Sequence, residues 1–263
     1  MKLFLALLLV CSDASAQIYD LLLKNGRMID PANHRDAQLD VAVTGNKIVK
    51  VAPNLPAAHA RVVVDVGGYI VTPGLIDINV HFGDQLKPDY NTLPYGVTTA
   101  VDVGCQMFDH AKVRVLAAAK CAANPEIHPL LFQVAAQNLP DTISSGMDWN
   151  NVILQRANMA TAMSIYLNLG MTVEQIVERA TANPARAIKR PQLGALNEGG
   201  VADIAVFEIE KGKFGFLDSS LKRLDATRRF RCLLTMRNGA IVWDSDGLSI
   251  PDTVRAGPYT NFK

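Results

Sequence analysis

The chain has 263 residues, 49% of them hydrophobic, and 26 Lys and Arg stand against 25 Asp and Glu. That is enough for one large domain or two small ones around a real core, so size does not exclude an enzyme. A balanced charge with no run of one sign gives no sign of a nucleic-acid footprint or a polybasic membrane patch; a small molecule or a protein is the partner expected.

Residues 1–16, "MKLFLALLLVCSDASA", carry a basic Lys2, an apolar run from Leu3 to Cys11, and small residues at Ala14 and Ala16. This order predicts a signal peptide cut after Ala16, hence a secreted or periplasmic protein; the alternative is a buried N-terminal strand or helix. The segment is too short to cross a bilayer as a helix, and no membrane span is expected in the mature chain. Val10 before Cys11 is too bulky for a lipoprotein anchor. Cys105, Cys121 and Cys232 remain, without C-x-x-C spacing, so neither a disulfide framework nor a zinc knuckle follows and buried free thiols are expected.

Residues 17–72 read as four or five short strands: "YDLLLKNGRMID", "LDVAVTGNKIVKVA" and "ARVVVDVGGYIV", with hairpin signals at Asn25-Gly26 and Gly45-Asn46. The texture returns over 195–250 in "VADIAVFEI" and "FRCLLTMRNGAIVWD", where Asn238-Gly239 marks another hairpin; 251–263 is a tail. Neither set has enough strands to bury a face alone, which predicts one small β-sandwich built from both chain ends. Between them, over 73–194, the pattern becomes α/β. "GLIDINVHF" and "GVTTAVDVG" read as strands of a parallel sheet, buried on both faces, and "DTISS" as a third. "DHAKVRVLAAAKCAA" and "DWNNVILQRANMATAMSIYLNLG" have helical spacing, the second through Ile153, Ala157, Ala160, Met163 and Leu167 up to Gly170. Thr172 and Gln175 form a capping box for the next helix, and Asn183-Pro184 would start another.

In their order, "DLLLKNGRMIDP", "VVDVGGYIVTPGLIDINVHFG", "YGVTTAVDVG", "NPARAIKRPQLGALNEGGVADIAVF" and "MRNGAIVWD" resemble the amidohydrolase superfamily, in particular its dihydroorotase-like and deacetylase-like members. The resemblance implies a (β/α)₈ barrel flanked by the small sandwich, and zinc or another divalent metal at the C-terminal mouth of the barrel. It implies metal-assisted hydrolysis of an amide, cyclic amide or ester bond in a small-molecule substrate, with an aspartate moving the proton. Pro73 through Pro191 is 119 residues, whereas a complete barrel takes about 250, so the middle of the barrel is missing. The expected fold is therefore a truncated, partial (β/α) barrel of the amidohydrolase type.

The family places two histidines two residues apart on its first barrel strand, where alternation aims both at one ion. Here those positions are Asn79 and His81. His81 is either a metal ligand or a hydrogen-bonded core histidine. Asn79 is a degenerate ligand position, since an amide oxygen is a poor zinc donor. Asp77 shares their parity and would hydrogen-bond behind the site. "LPDTISSGMDWNN" resembles the last-strand segment, with Gly146 and Met147 where an aspartate and a histidine are expected; Asp141 and Asp148 are the catalytic candidates, the alternatives being a strand start and a helix cap. His110 and His128 are conceivable further ligands. No G-x-S-x-G elbow, Walker loop, dinucleotide fingerprint or H-E-x-x-H occurs. Two alternatives to an active hydrolase stay open: a catalytically inactive truncated homologue, and a binding or oligomerising module. The exposed strand edges of a partial barrel favour a homo-oligomer.

Overall fold

Alternating apolar residues give each N-terminal strand one face to bury. The structure, a computed structural model describing residues 19–103, 114–117, 141–218 and 221–251, shows what covers those faces. Five strands come first: β1 (Tyr19–Asp30), β2 (Arg35–Thr44), β3 (Lys47–Ala52), β4 (Ala60–Asp65) and β5 (Ile70–Pro73). Then follow β6 (Leu75–Val80), the short helix α1 (Pro88–Thr92), β7 (Val97–Asp102) and β8 (Arg114–Ala117). The helical part contains α2 (Trp149–Gln155), α3 (Met159–Asn168), α4 (Val173–Ala180) and α5 (Ala182–Ala187). The strands β9 (Ile204–Leu217), β10 (Arg223–Arg237) and β11 (Ala240–Asp244) return the chain to the first sheet. Residues 1–16, Cys105, His110, Cys121 and His128 lie outside the described residues.

Both chain ends build one eight-stranded sheet in the order β11-β10-β9-β5-β1-β2-β3, with β4 also on β1. β4 lies parallel to β1 along Tyr19–Lys24 and β5 parallel to it at Arg27–Met28, so the two share one edge of a long strand. The forked sheet closes over a core in which Leu21, Leu23, Val41, Val43 and Val64 from the N-terminal strands meet Val206, Leu234 and Met236 from the C-terminal ones. β3 is tied to the approach to β9 by the Lys47–Val201 bridge and by Gly199 N donating to Ile48 O at 2.7 Å. This is the β-sandwich made from both ends.

The second sheet is parallel, β6-β7-β8. On the other edge of β6, Val80 bridges Met147 in parallel and His81 N donates to Met147 O at 2.7 Å, so "ISSGM" lies beside β6 as an incomplete fourth strand. Leu75, Val80, Phe82, Val97, Ile143 and Met147 from this layer pack with Met159, Met163, Leu167 and Ile176 of the helices and with Phe207 and Phe230 of the sandwich. Helices thus fill the space between a partial barrel and the sandwich, as two-layer packing requires.

Two glycines of the sequence motifs have a steric reason. A Cβ on Gly74, in P-G-L-I-D, would sit 2.3 Å from Thr98 Oγ1, so β6 could not approach β7 at this distance with any larger residue. Gly96 has φ +82°, and its Cβ would meet Phe207 Cζ at 2.5 Å. There the turn into β7 and its contact with the sandwich both demand glycine.

Several local expectations need correction. Asn25-Gly26 is no hairpin turn: Asn25 takes a left-handed φ of 65° and makes a register shift inside a continuous β1, pinned by its N–H on Asp40 Oδ1 at 2.8 Å. Residues 114–117 are a strand, because the β-branched and apolar run finds β7 to pair with. The long helix expected from Asp148 to Gly170 breaks in two. Arg156 turns left-handed, and Asn158 starts a new helix by accepting the Thr161 amide at 2.8 Å. Asn183-Pro184 falls inside the first turn of α5, whose N-cap is Thr181. The Thr172–Gln175 capping box is formed on both sides.

A polar cluster joins the two sheets. Asp203, only 1% exposed, accepts from Arg114 Nη1 at 2.8 Å and from Asn238 N at 2.7 Å, with Arg237 Nη1 at 3.7 Å. Arg114 also donates to Thr99 Oγ1 at 2.6 Å. One carboxylate in the A-D-I motif therefore anchors β8 to the β10–β11 turn.

Candidate functional site

The mouth of the partial barrel is where β6, β7 and the "ISSGM" segment end. Asp77 is fully buried in β6. Its Oδ1 accepts from Ser144 Oγ at 2.7 Å, from Ser145 N at 3.1 Å and from Asn79 N at 3.4 Å. Its Oδ2 is buried without a hydrogen-bond partner. Burial pushes this carboxyl above the usual aspartate range; the hydroxyls and amides on Oδ1 oppose the shift. The two serines escaped the sequence reading, although their place in the segment that pairs with β6 put them opposite Asp77.

Asn79 is half-buried, and His81, one residue past the end of β6, is exposed. The pairing of β6 with β7 shifts register between Asp77 and Val80. That shift undoes the simple parity argument: along this stretch Asp77 sinks into the core while His81 emerges into solvent. Asp148 lies at the same mouth, and its carboxylate caps α2, Oδ1 accepting from Asn151 N at 2.8 Å and Oδ2 from Asn151 Nδ2 at 3.0 Å. Asp141 is exposed in a bend before the strand, and its carbonyl accepts from Asn183 Nδ2 at 2.6 Å. The structure thus brings Asp77, Asn79 and Ser144 together and leaves Asp141 apart.

A model of the Amidohydrolase family matches residues 141–242. A dihydroorotase of Streptococcus thermophilus (strain CNRZ 1066) is 49% identical over 75 residues, which are 27% of this chain and 18% of the relative. A dihydroorotase of Lactococcus lactis subsp. lactis (strain IL1403) is 42% identical over 84 residues, 32% of this chain and 20% of the relative. Among solved structures, an adenine deaminase superposes with a TM-score of 0.73 at 18% identity, over 86% of this chain and 100% of that one. A dihydroorotase superposes with a TM-score of 0.69 at 17% identity, over 86% and 99%. Residues 141–242 thus match the Amidohydrolase family, and the fold is that of these solved structures. Its matches span about a fifth of the length of these curated dihydroorotases.

Amidohydrolases work on small molecules with divalent metals, and the β6 strand end is where this chain would hold one. Its donors do not fit. Asp77 offers one oxygen already engaged by three donors and one enclosed in the core; Asn79 offers a neutral amide; His81 points its residue into solvent after the strand has ended. Among the described residues no three His, Cys, Asp or Glu side chains converge on a common point. A catalytic zinc takes three protein ligands besides its water. No described helix is long and apolar enough to cross a membrane.

Proposed function

We propose that the protein carries the scaffold of a hydrolase that opens a carbon–nitrogen bond in a small cyclic amide, and that its β6 strand end no longer holds the metal on which that reaction depends. One strand carries both halves of the proposal. β6 keeps the Gly74-Leu75-Ile76-Asp77 entry of the family's metal strand and then presents Asn79 and an exposed His81 where two converging imidazoles belong. Without the metal, water near neutral pH is too weak a nucleophile for an amide, and the buried, serine-bound Asp77 is placed to brace the strand.

The 49% identity to the Streptococcus thermophilus dihydroorotase favours a second reading, an active hydrolase that draws its remaining ligands from outside the described residues. Zinc or another divalent ion would then be its cofactor. Metal analysis of the purified protein, beside an assay of ring opening on a six-membered cyclic amide, separates the two. Substoichiometric metal without turnover supports the silent scaffold; one tightly held ion with turnover establishes the active enzyme. The leader-like N-terminus supports a secreted or periplasmic location. The short parallel sheet supports self-association, because β8 has a partner on only one edge among the described residues, and an open strand edge is a template for another copy.

A further inference from the structure

The lysines and arginines look scattered in the sequence, but strand pairing gathers many of them. Between Glu210 and Arg231 there are seven cations and three anions. This stretch is the outer part of the β9–β10 hairpin. β5 leaves β9 at Phe207, and beyond that residue β9 pairs, among the described residues, with β10 alone. α3 supports β10 as far as Thr227 and Arg228, whose amides donate to Asn168 Oδ1 at 3.1 and 3.3 Å. Past that point the hairpin runs on as an arm on which Lys211, Lys213, Lys222 and Arg223 are exposed, while Ala226 stays buried and Phe214, Phe216 and Leu224 are half-buried.

The arm is amphipathic as well as cationic. Its cross-strand pairs Phe214–Ala226 and Phe216–Leu224 stack apolar side chains, and the guanidinium of Arg229 lies over the Phe214 ring at 4.8 Å. At the far end Leu221 is 55% exposed beside exposed Lys222 and Arg223. The arginines are largely spent within the protein: Arg223 on Asp225, Arg229 on Glu210, Arg231 on Asp246. Lys211, Lys213 and Lys222 are exposed and make no ion pair among the described residues.

We infer that this arm docks the protein on an anionic phospholipid surface, the lysines meeting headgroup phosphates and carboxylates while Leu221 enters the headgroup boundary. Charge complementarity selects a polyanion, since each unpaired lysine near such a surface strengthens binding several-fold and the effect fades within a Debye length. The apolar tip selects lipid over nucleic acid, because a phosphate backbone gives an exposed leucine nothing to enter, whereas an interface buries it. The arm lies on the surface and spans nothing.

The test is sedimentation of the full chain with phosphatidylcholine vesicles, with and without phosphatidylserine. Binding is expected to the anionic vesicles, to weaken as salt is raised, and to be slight on the neutral ones. Lys211→Gln with Lys213→Gln should lower partition by about twenty-five-fold, roughly five-fold for each lysine. Leu221→Ser should lower it about five-fold, and Lys87→Gln, away from the arm, should leave it unchanged. Equal binding to neutral and anionic vesicles, variants that bind like the parent, or retention on heparin or DNA with none on vesicles would each overturn the inference. If a variant melts below the parent, the salt dependence of the unmodified protein decides: binding indifferent to salt also overturns it.

Discussion

Replacing Asp203 by alanine should unfasten the barrel fragment from the sandwich. The carboxylate is 1% exposed and serves Arg114 at 2.8 Å, Arg237 at 3.7 Å and the Asn238 amide at 2.7 Å. Burial pushes the Arg237 guanidinium below its usual range, and Asp203 is the charge that opposes this. Removing one partner of a buried ion pair costs about 3–5 kcal/mol, and an orphaned buried amide about 1–3 kcal/mol; these overlap and do not add. Arg114 and Arg237 are 17% and 18% exposed and can turn partly to water, which sets the expectation at the lower end, about 3 kcal/mol. That is a large share of the stability of an ordinary domain. Urea unfolding at neutral pH measures it, with Asp203→Asn as the companion, since asparagine keeps an acceptor for the Asn238 amide and removes only the charge. Asn should cost less than Ala. A loss under about 1 kcal/mol for Asp203→Ala would refute the role given to this cluster.

Asp77 gives a pH prediction. Its folded carboxyl holds its proton to higher pH than the unfolded one. The native state therefore binds more protons than the unfolded state in that window, and its contribution to stability falls as pH rises from about 4 through the raised value. Asp77→Asn should flatten that slope in melts followed across the window, and an unchanged slope would count against the buried acid. Gly96→Ala should cost more than about 2 kcal/mol, given the positive φ and the Phe207 contact at 2.5 Å; an unaltered melting temperature would contradict the close approach. Deleting residues 200–263 should open the N-terminal strands to protease, because Val206, Leu234 and Met236 cover them, and unchanged protection would argue against the shared sandwich. N-terminal sequencing of exported protein should start at Gln17, and recovery of Met1 or of a residue beyond Asp20 would remove the case for cleavage after Ala16.

The sequence made the large pattern legible because it was written in strong signals. Turn pairs at Gly45-Asn46 and Asn238-Gly239 close hairpins, and the apolar runs around Ile76 and Thr99 form parallel strands. What stayed hidden depended on tertiary partners. Asn25-Gly26 carries a hairpin's residues, yet Asp40 and β2 hold it as a bulge within one strand. Arg114–Ala117 lies within a sequence of helical spacing, yet it forms a strand because it pairs with β7. In the candidate site, the identity of Asn79 was plain in the sequence. The burial of Asp77, its capture by Ser144 and the emergence of His81 into solvent were not, since a register shift within β6 sets all three. The cationic arm likewise exists only once β9 and β10 are paired.

The claim that the β6 strand end no longer holds a catalytic metal is tested most directly by elemental analysis of the tag-free, folded protein before and after Asn79→His. One exposed imidazole and one enclosed carboxylate fall short of the three protein ligands a catalytic zinc takes. Metal well below one ion per chain is expected in both proteins, because the added imidazole would still have no converging partners among the described residues. One tightly bound zinc per unmodified chain would contradict the claim, and a rise to one ion on Asn79→His would show that the site lacks only a single ligand.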